Sequence, residues 1–267
     1  MVTKNAVFMR SVAFCKRLYS IHKRGEIAMK NILKIMLMMI TIFTIAGSAV
    51  YAAEIPVSDQ DQLITSRDWT EISNLQDEMK KEEPDATIDY DKALKVYVDC
   101  NLIKLQTADT KKLTSALESA NYVWVIPFKM EKTYGMFTVA KGLPLSEEAK
   151  SVLTKAEQEE VKNHAGKWMI TETAEHTVEP YYDILLEKRE ALSDCTRVVL
   201  VGSQPGMRQP VALGMDDETA RIWISLGYQY PVMEKIPETQ NVESGVYSFD
   251  SVAEISDTYI EDSEVST

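Results

Sequence analysis

Seven consecutive residues, Ser203-Gln204-Pro205-Gly206-Met207-Arg208-Gln209, form the most distinctive loop of the chain. Pro-Gly favours a tight turn, and a turn here would project Gln204, Arg208 and Gln209 from the end of a sheet. Two amides and a guanidinium in that position can hold a carboxylate or a sugar. The same residues also suit an ordinary hairpin connection. Gly202 and Gly206 are not followed by Gly-Lys-Ser/Thr, so this is no phosphate loop. Ser203 lacks glycines two positions to either side, so it is no nucleophile elbow. Tyr228 and Tyr230, flanking Gln229 after the last strand-like run, are the aromatic residues expected to be exposed. They join Gln204, Arg208 and Gln209 as the candidate ligand-binding set.

Other reactive side chains are sparse. Cys100 and Cys195 could form one disulfide in an exported protein, and two separate thiols are the alternative. CxxC spacing is absent, which excludes a redox motif or zinc knuckle of that type. His164 and His176, with Glu172 and Glu175 nearby, match no helix-borne pair of metal ligands. No metal, cofactor or catalytic residue is therefore assigned. Acids are too numerous to single out a glycosidase pair, which is defined by a separation in space. Trp124, Trp168, Trp223, Tyr181 and Tyr182 could line a carbohydrate platform, but they sit inside apolar segments where core packing is the usual fate.

Charge and export narrow the function further. Residues 29–53, MKNILKIMLMMITIFTIAGSAVYAA, place two lysines before an uncharged apolar run that small residues close. This is the pattern of a secretory signal peptide of the general bacterial kind, cut after Ala52 or Ala53. An uncleaved membrane anchor is the alternative, since the run approaches the ~20 residues a spanning helix needs. Residues 1–28 are basic and precede a complete signal, so translation is expected to start at Met29; an extended n-region is the alternative. Eight of the 29 basic and one of the 41 acidic residues lie in 1–52, which leaves 21 basic against 40 acidic and a mature net charge of −19. Such a surface repels phosphate and disfavours nucleic acid as a partner. Contact with the membrane is expected only transiently, through the signal peptide.

The elements that must position these groups follow from periodicity. Residues 68–81 carry Trp69, Ile72, Leu75 and Met79 at helical spacing. Residues 93–102 alternate Leu94, Val96 and Val98 with Lys95, Tyr97 and Asp99, which predicts a strand with one buried and one solvent face. Asp109 is a plausible N-cap for a helix over 107–120, and Ser146 for one reaching His164. Tyr122-Val-Trp-Val-Ile-Pro-Phe128 is apolar on both faces and predicts a central strand, followed by a hairpin partner over 134–140. Residues 167–173 predict a strand and 178–192 a helix. Runs at 197–202, 210–214 and 221–226 predict an antiparallel meander.

The expected fold class is α+β: a mainly antiparallel sheet with several amphipathic helices packed against it. One domain over 54–230 follows the signal segment. Residues 231–267 hold nine acids and one lysine, and read as a flexible acidic tail, with docking of 246–260 on the domain or a partner as the alternative. The leading functional expectation is a secreted, non-catalytic binding or interaction domain whose extracellular or cell-envelope ligand is a protein or glycan. An extracytoplasmic hydrolase of glycan or peptide and a membrane-anchored envelope assembly factor are the alternatives.

Overall fold

The computed structural model describes residues 55–176, 179–202, 204, 207, 209–227, 236 and 241–255. Residues 1–54, which include the expected signal segment, lie outside this set. The described chain folds as α+β, with a ten-stranded sheet that is antiparallel except at one pairing.

In chain order, α1 (Trp69–Ile72) and α2 (Gln76–Glu82) flank a 3-10 turn at Ser73–Leu75. β1 (Thr87–Ile88) and β2 (Leu94–Val98) precede α3 (Thr110–Ser119), whose N-cap Asp109 accepts from Lys111 N at 2.9 Å and Lys112 N at 3.1 Å. Such a cap stabilises a helix by about 1 kcal/mol. β3 (Asn121–Lys129) and β4 (Tyr134–Lys141) form the expected hairpin.

The predicted helix to His164 is two helices, α4 (Glu147–Val152) and α5 (Lys155–His164). Thr154 restarts the chain as a capping box, its hydroxyl accepting from Glu157 N while the Glu157 carboxylate accepts from Thr154 N. That reciprocal pair competes with continuation through Leu153. Neither helix buries a residue, and the apolar Val152 is 80% exposed.

β5 (Trp168–His176) is an end strand, and α6 (Tyr181–Glu187) crosses from it to β6 (Arg197–Val201). β7 (Val211–Met215) and β8 (Ala220–Ser225) complete the expected meander. β9 (Asn241–Glu243) and β10 (Val246–Ser248) extend it, β10 pairing antiparallel with β8, and residues 249–255 are helical. The acidic tail expected over 231–267 thus contains a folded part: Val246, Tyr247, Phe249 and Val252 are buried in the core. Its last twelve residues, 256–267, lie outside the described set.

The strand order is β5-β4-β3-β2-β6-β7-β8-β10-β9, with β1 beside β3. Two antiparallel meanders are joined where β2 runs parallel to β6, Val96 opposite Leu200 and Tyr97 opposite Val201. Because paired residues share a face, this register sorts the core. Leu94, Val96, Val198, Leu200 and Ile224 lie on one face, under Tyr181 and Leu185 of α6. The opposite face carries two clusters. One gathers Trp124, Phe128 and Phe137 with Ile72 and Met79 of α1 and α2. The other gathers Val199, Val201, Leu213, Trp223 and Tyr247 with Leu113 and Leu117 of α3.

Lys95 and Tyr97 of β2 fall on this second face, at the seam between its two clusters. The solvent face expected for β2 is therefore buried: Lys95 is 9% and Tyr97 6% exposed. The turns at residues 59–65 lie over it. Val57 bridges Val198, and Val198 N donates to Pro56 O at 2.7 Å, so the polar leader takes a strand-like place beside β6.

Candidate functional site

The seam is charged where its surroundings are apolar. Asp61, in the 3-10 turn Asp59–Asp61 and 2% exposed, accepts from the Tyr97 hydroxyl at 2.7 Å, Ser58 Oγ at 2.6 Å and Arg197 Nη2 at 3.0 Å. The Lys95 ammonium stands 3.6 Å from Oδ1 of the same carboxylate. Asp68, 7% exposed, accepts from the Tyr122 hydroxyl at 2.9 Å and the Trp124 indole N–H at 3.1 Å. Two carboxylates thus meet two buried or half-buried cations, and both acids have hydrogen-bond donors to spare their desolvation.

Among the described residues Arg197 Nε is buried without a partner, and Lys95 reaches Asp61 only at ion-pair distance, beyond that of a hydrogen bond. Its ammonium lies over three rings, 5.7 Å from the Tyr97 centroid, 4.7 Å from Tyr122 and 5.2 Å from Trp124. Ring faces attract a cation but leave N–H donors without acceptors. Burial lowers the Lys95 pKa below the ordinary lysine range, and Asp61 only partly opposes this. Burial also raises the Tyr97 and Tyr122 hydroxyls, with Asp61 adding to the effect on Tyr97, so both stay protonated as donors.

A cavity of about 420 Å³ opens onto Lys95, Tyr97 and Tyr122, walled by Arg67 and Asp68 on one side and Leu117 of α3 on the other. Arg67 is exposed at the mouth, its Nε 3.9 Å from Asp68. A second cleft of about 410 Å³ lies on the other side of Tyr122, lined by Lys141, Leu143, Pro144 and Trp168. The Lys141 ammonium sits 5.5 Å from the Trp168 centroid, and Tyr122 and Trp168 are 5.8 Å apart.

Of the residues singled out by motif, the two that are described, Gln204 and Gln209, lie elsewhere. Gln204 is 3% exposed and works as an internal clamp: its Nε2 donates to Cys100 O at 2.6 Å and Gly202 O at 2.9 Å, and its Oε1 accepts from Leu102 N at 3.2 Å. Gln209 is half-buried just before β7. Arg208, Tyr228 and Tyr230 lie outside the described residues.

Cys100 and Cys195 are free and buried, so of the two readings open to them the structure shows the separate thiols. Cys100 packs with Tyr97 and Leu102 on one face of the sheet and Cys195 with Leu192 and Val198 on the other, so the sheet itself separates their sulfurs. A disulfide needs Cβ atoms roughly 4 Å apart.

His164 closes α5 just before β5, whereas His176 ends β5. Eight strand steps of about 3.3 Å put the two ends of β5 roughly 26 Å apart. Among the described residues no three His, Cys, Asp or Glu gather where they could hold a metal ion. Trp124 and Trp223 are fully buried, and Trp168 and Tyr181 nearly so, as core residues.

Asp61 and Lys95 escaped motif reading. Asp61 is one of 41 acids in a polar stretch, and Lys95 occupies the polar phase of an alternating strand. The signal that could have found Lys95 is the aromatic density of both partner positions, Tyr97 beside it and Tyr122-Val-Trp124 opposite.

Comparison with protein-family models, curated proteins and solved structures found no match. Functional inference therefore rests on the geometry of the seam. Among the described residues no helix is long and apolar enough to cross a membrane.

Proposed function

We propose that the protein is an exported, non-catalytic binding domain that holds a carboxylate-bearing ligand in the cavity above Lys95. The observation that carries this reading is the imbalance around Asp61. Arg197 at 3.0 Å takes one carboxylate oxygen and the Tyr97 hydroxyl the other at 2.7 Å, while Lys95 is left at 3.6 Å and lines the cavity. A ligand carboxylate supplies the acceptor that Lys95 lacks, and Arg67 at the mouth adds a second, solvent-exposed cation. The Tyr122 and Leu117 walls suit an apolar group adjacent to that carboxylate.

Export supports a ligand outside the cytoplasm, and the acidic surface elsewhere favours discrimination by this one pocket over general anion attraction. Peptide C-termini and uronic acids of envelope glycans share the required chemistry. Thermal unfolding in the presence of propionate, a short peptide with a free or amidated C-terminus, and glucuronate distinguishes them. A ligand at a hundred times its Kd stabilises the native state by about 2.7 kcal/mol, which for a domain of this size raises Tm by roughly 5–10 °C. A shift lost on amidation identifies the peptide terminus, and a shift with glucuronate alone identifies the glycan. The reading fails if no carboxylate shifts Tm. The hydrolase alternative gains no support from the placement of His164 and His176.

A further inference from the structure

Among the described residues Lys95 is the one buried lysine, and it lies against aromatic rings while still bordering an open cavity. Its neighbours are fully committed. Asp61 on the leader serves Tyr97, Ser58 and Arg197; Asp68 serves Tyr122 and Trp124. Arg67 beside Asp68 opposes a positive charge on Lys95, and Glu118 at the end of α3 is exposed on the cavity rim.

We propose that Lys95 captures small carbonyl compounds covalently and reversibly, as an imine, with the carbonyl carbon of a 2-oxo acid or aldehyde seated in the cavity. This deepens the carboxylate-binding reading and rests on it for the orientation of the ligand: the ammonium form of Lys95 draws the carboxylate in, and Arg67 at the mouth holds that carboxylate while the neutral form of Lys95 reaches the carbonyl carbon. The chemistry balances without any redox partner. The neutral amine's lone pair forms the C–N bond while the C=O π pair moves to oxygen, and proton transfer from nitrogen to oxygen gives a carbinolamine. Loss of that hydroxyl with a second nitrogen proton releases water and leaves C=N. The requirement is a lysine that surrenders its proton more readily than an exposed one, and desolvation with incomplete ion pairing supplies it. The lowered proton affinity of Lys95 agrees with this.

The test uses pyruvate as probe, with cyanoborohydride to fix any imine, on the purified full chain near neutral pH. Peptide mapping should find the adduct on Lys95 about tenfold ahead of exposed lysines such as Lys150 for each unit by which its pKa is lowered. Lys95→Arg should keep carboxylate binding and lose the adduct; Lys95→Met should lose both. If either variant fails to fold, the wild-type chain decides through reductive methylation with ¹³C-formaldehyde and NMR titration of the methylated amine. A Lys95 resonance titrating in the ordinary lysine range, or labelling that follows exposure with Lys95 among the slowest, overturns the proposal. Propionate, which lacks the carbonyl, separates the two readings. A Tm shift with propionate and no pyruvate adduct refutes imine capture alone, whereas an adduct without any propionate shift refutes carboxylate recognition alone.

Discussion

The Tyr97 hydroxyl donates to Oδ1 of Asp61 at 2.7 Å, joining the second strand to a turn 36 residues earlier. That bond, with Arg197 on the other oxygen, fastens the leader over the seam. Asp61→Asn removes the only carboxylate within reach of Lys95 and Arg197 in the described residues. Leaving buried cations unpaired costs about 3–5 kcal/mol. Tyr97→Phe should cost less, about 1.5–3 kcal/mol, the range for a hydrogen bond to a charged group. Urea unfolding of both variants checks the order. An Asp61→Asn loss smaller than that of Tyr97→Phe would refute the role given to Asp61.

The lowered pKa of Lys95 has a definite sign in stability. Between that value and the ordinary 10.5, the unfolded chain binds a proton that the native state has released. Stability contributed by this group therefore grows as pH rises through the window. Lys95→Met abolishes that growth, so the difference in unfolding free energy between wild type and Lys95→Met should shift in favour of wild type as pH rises toward the ordinary lysine pKa of 10.5. A difference independent of pH contradicts the desolvated state of Lys95.

Cys195 behaves in the opposite sense. Burial, reinforced by Asp216 and Asp194, pushes its thiol from 9.0 up to about 11. The unfolded chain ionises first, and the stability held by the neutral thiol below pH 9 is lost as pH rises through 11. Burial likewise raises Cys100. Neither thiol should react with a thiol reagent in the native protein at neutral pH, and both should react once it is unfolded in urea. Native mass loss equivalent to a disulfide contradicts the placement of the cysteines on opposite faces.

Gln204→Ala is expected to destabilise the fold without altering ligand affinity. The change strips a partner from Cys100 O, Gly202 O and Leu102 N together. Each unsatisfied buried group costs about 1–3 kcal/mol, though water entering the gap offsets part of the sum. A Tm lowered by several degrees with an unchanged carboxylate response separates this clamp from a ligand contact.

Gly135 is covered by the ring of Phe128, whose nearest carbon lies 2.1 Å from where a Cβ would stand. Gly135→Ala must displace that ring from its 4.6 Å contact with Phe137. Overpacking of this kind costs about 1–3 kcal/mol, measurable by urea unfolding. An unchanged midpoint would mean that the ring yields freely.

Local signals carried much of the fold. Asp109 and Ser146 were legible as N-caps because capping depends on a few adjacent residues, and both accept the expected backbone bonds. The doubly apolar run around Trp124 marked a central strand, and it lies between β2 and β4. Long-range choices were not legible. Nothing local tells Val96 to run parallel to Leu200, and nothing marks Val57 as its neighbour's bridge partner. The site was hidden for the same reason. An alternating strand with Lys95 at a polar position reads as half-solvated, and only the distant Asp61, folded over it, turns that face inward. Gln204, by contrast, stood in a loop that looked built to face outward, and its amide instead satisfies the Cys100 carbonyl 104 residues away.

The single parallel pairing sets an order of events during folding. Each meander can assemble from neighbouring hairpins whose strands are close in sequence, but the join between β2 and β6 unites residues more than a hundred positions apart. Closing so long a loop is entropically late and slow. The Asp61, Lys95, Tyr97 and Arg197 cluster draws on both sides of that join, so the pocket comes into being only with the last productive collision of the two halves.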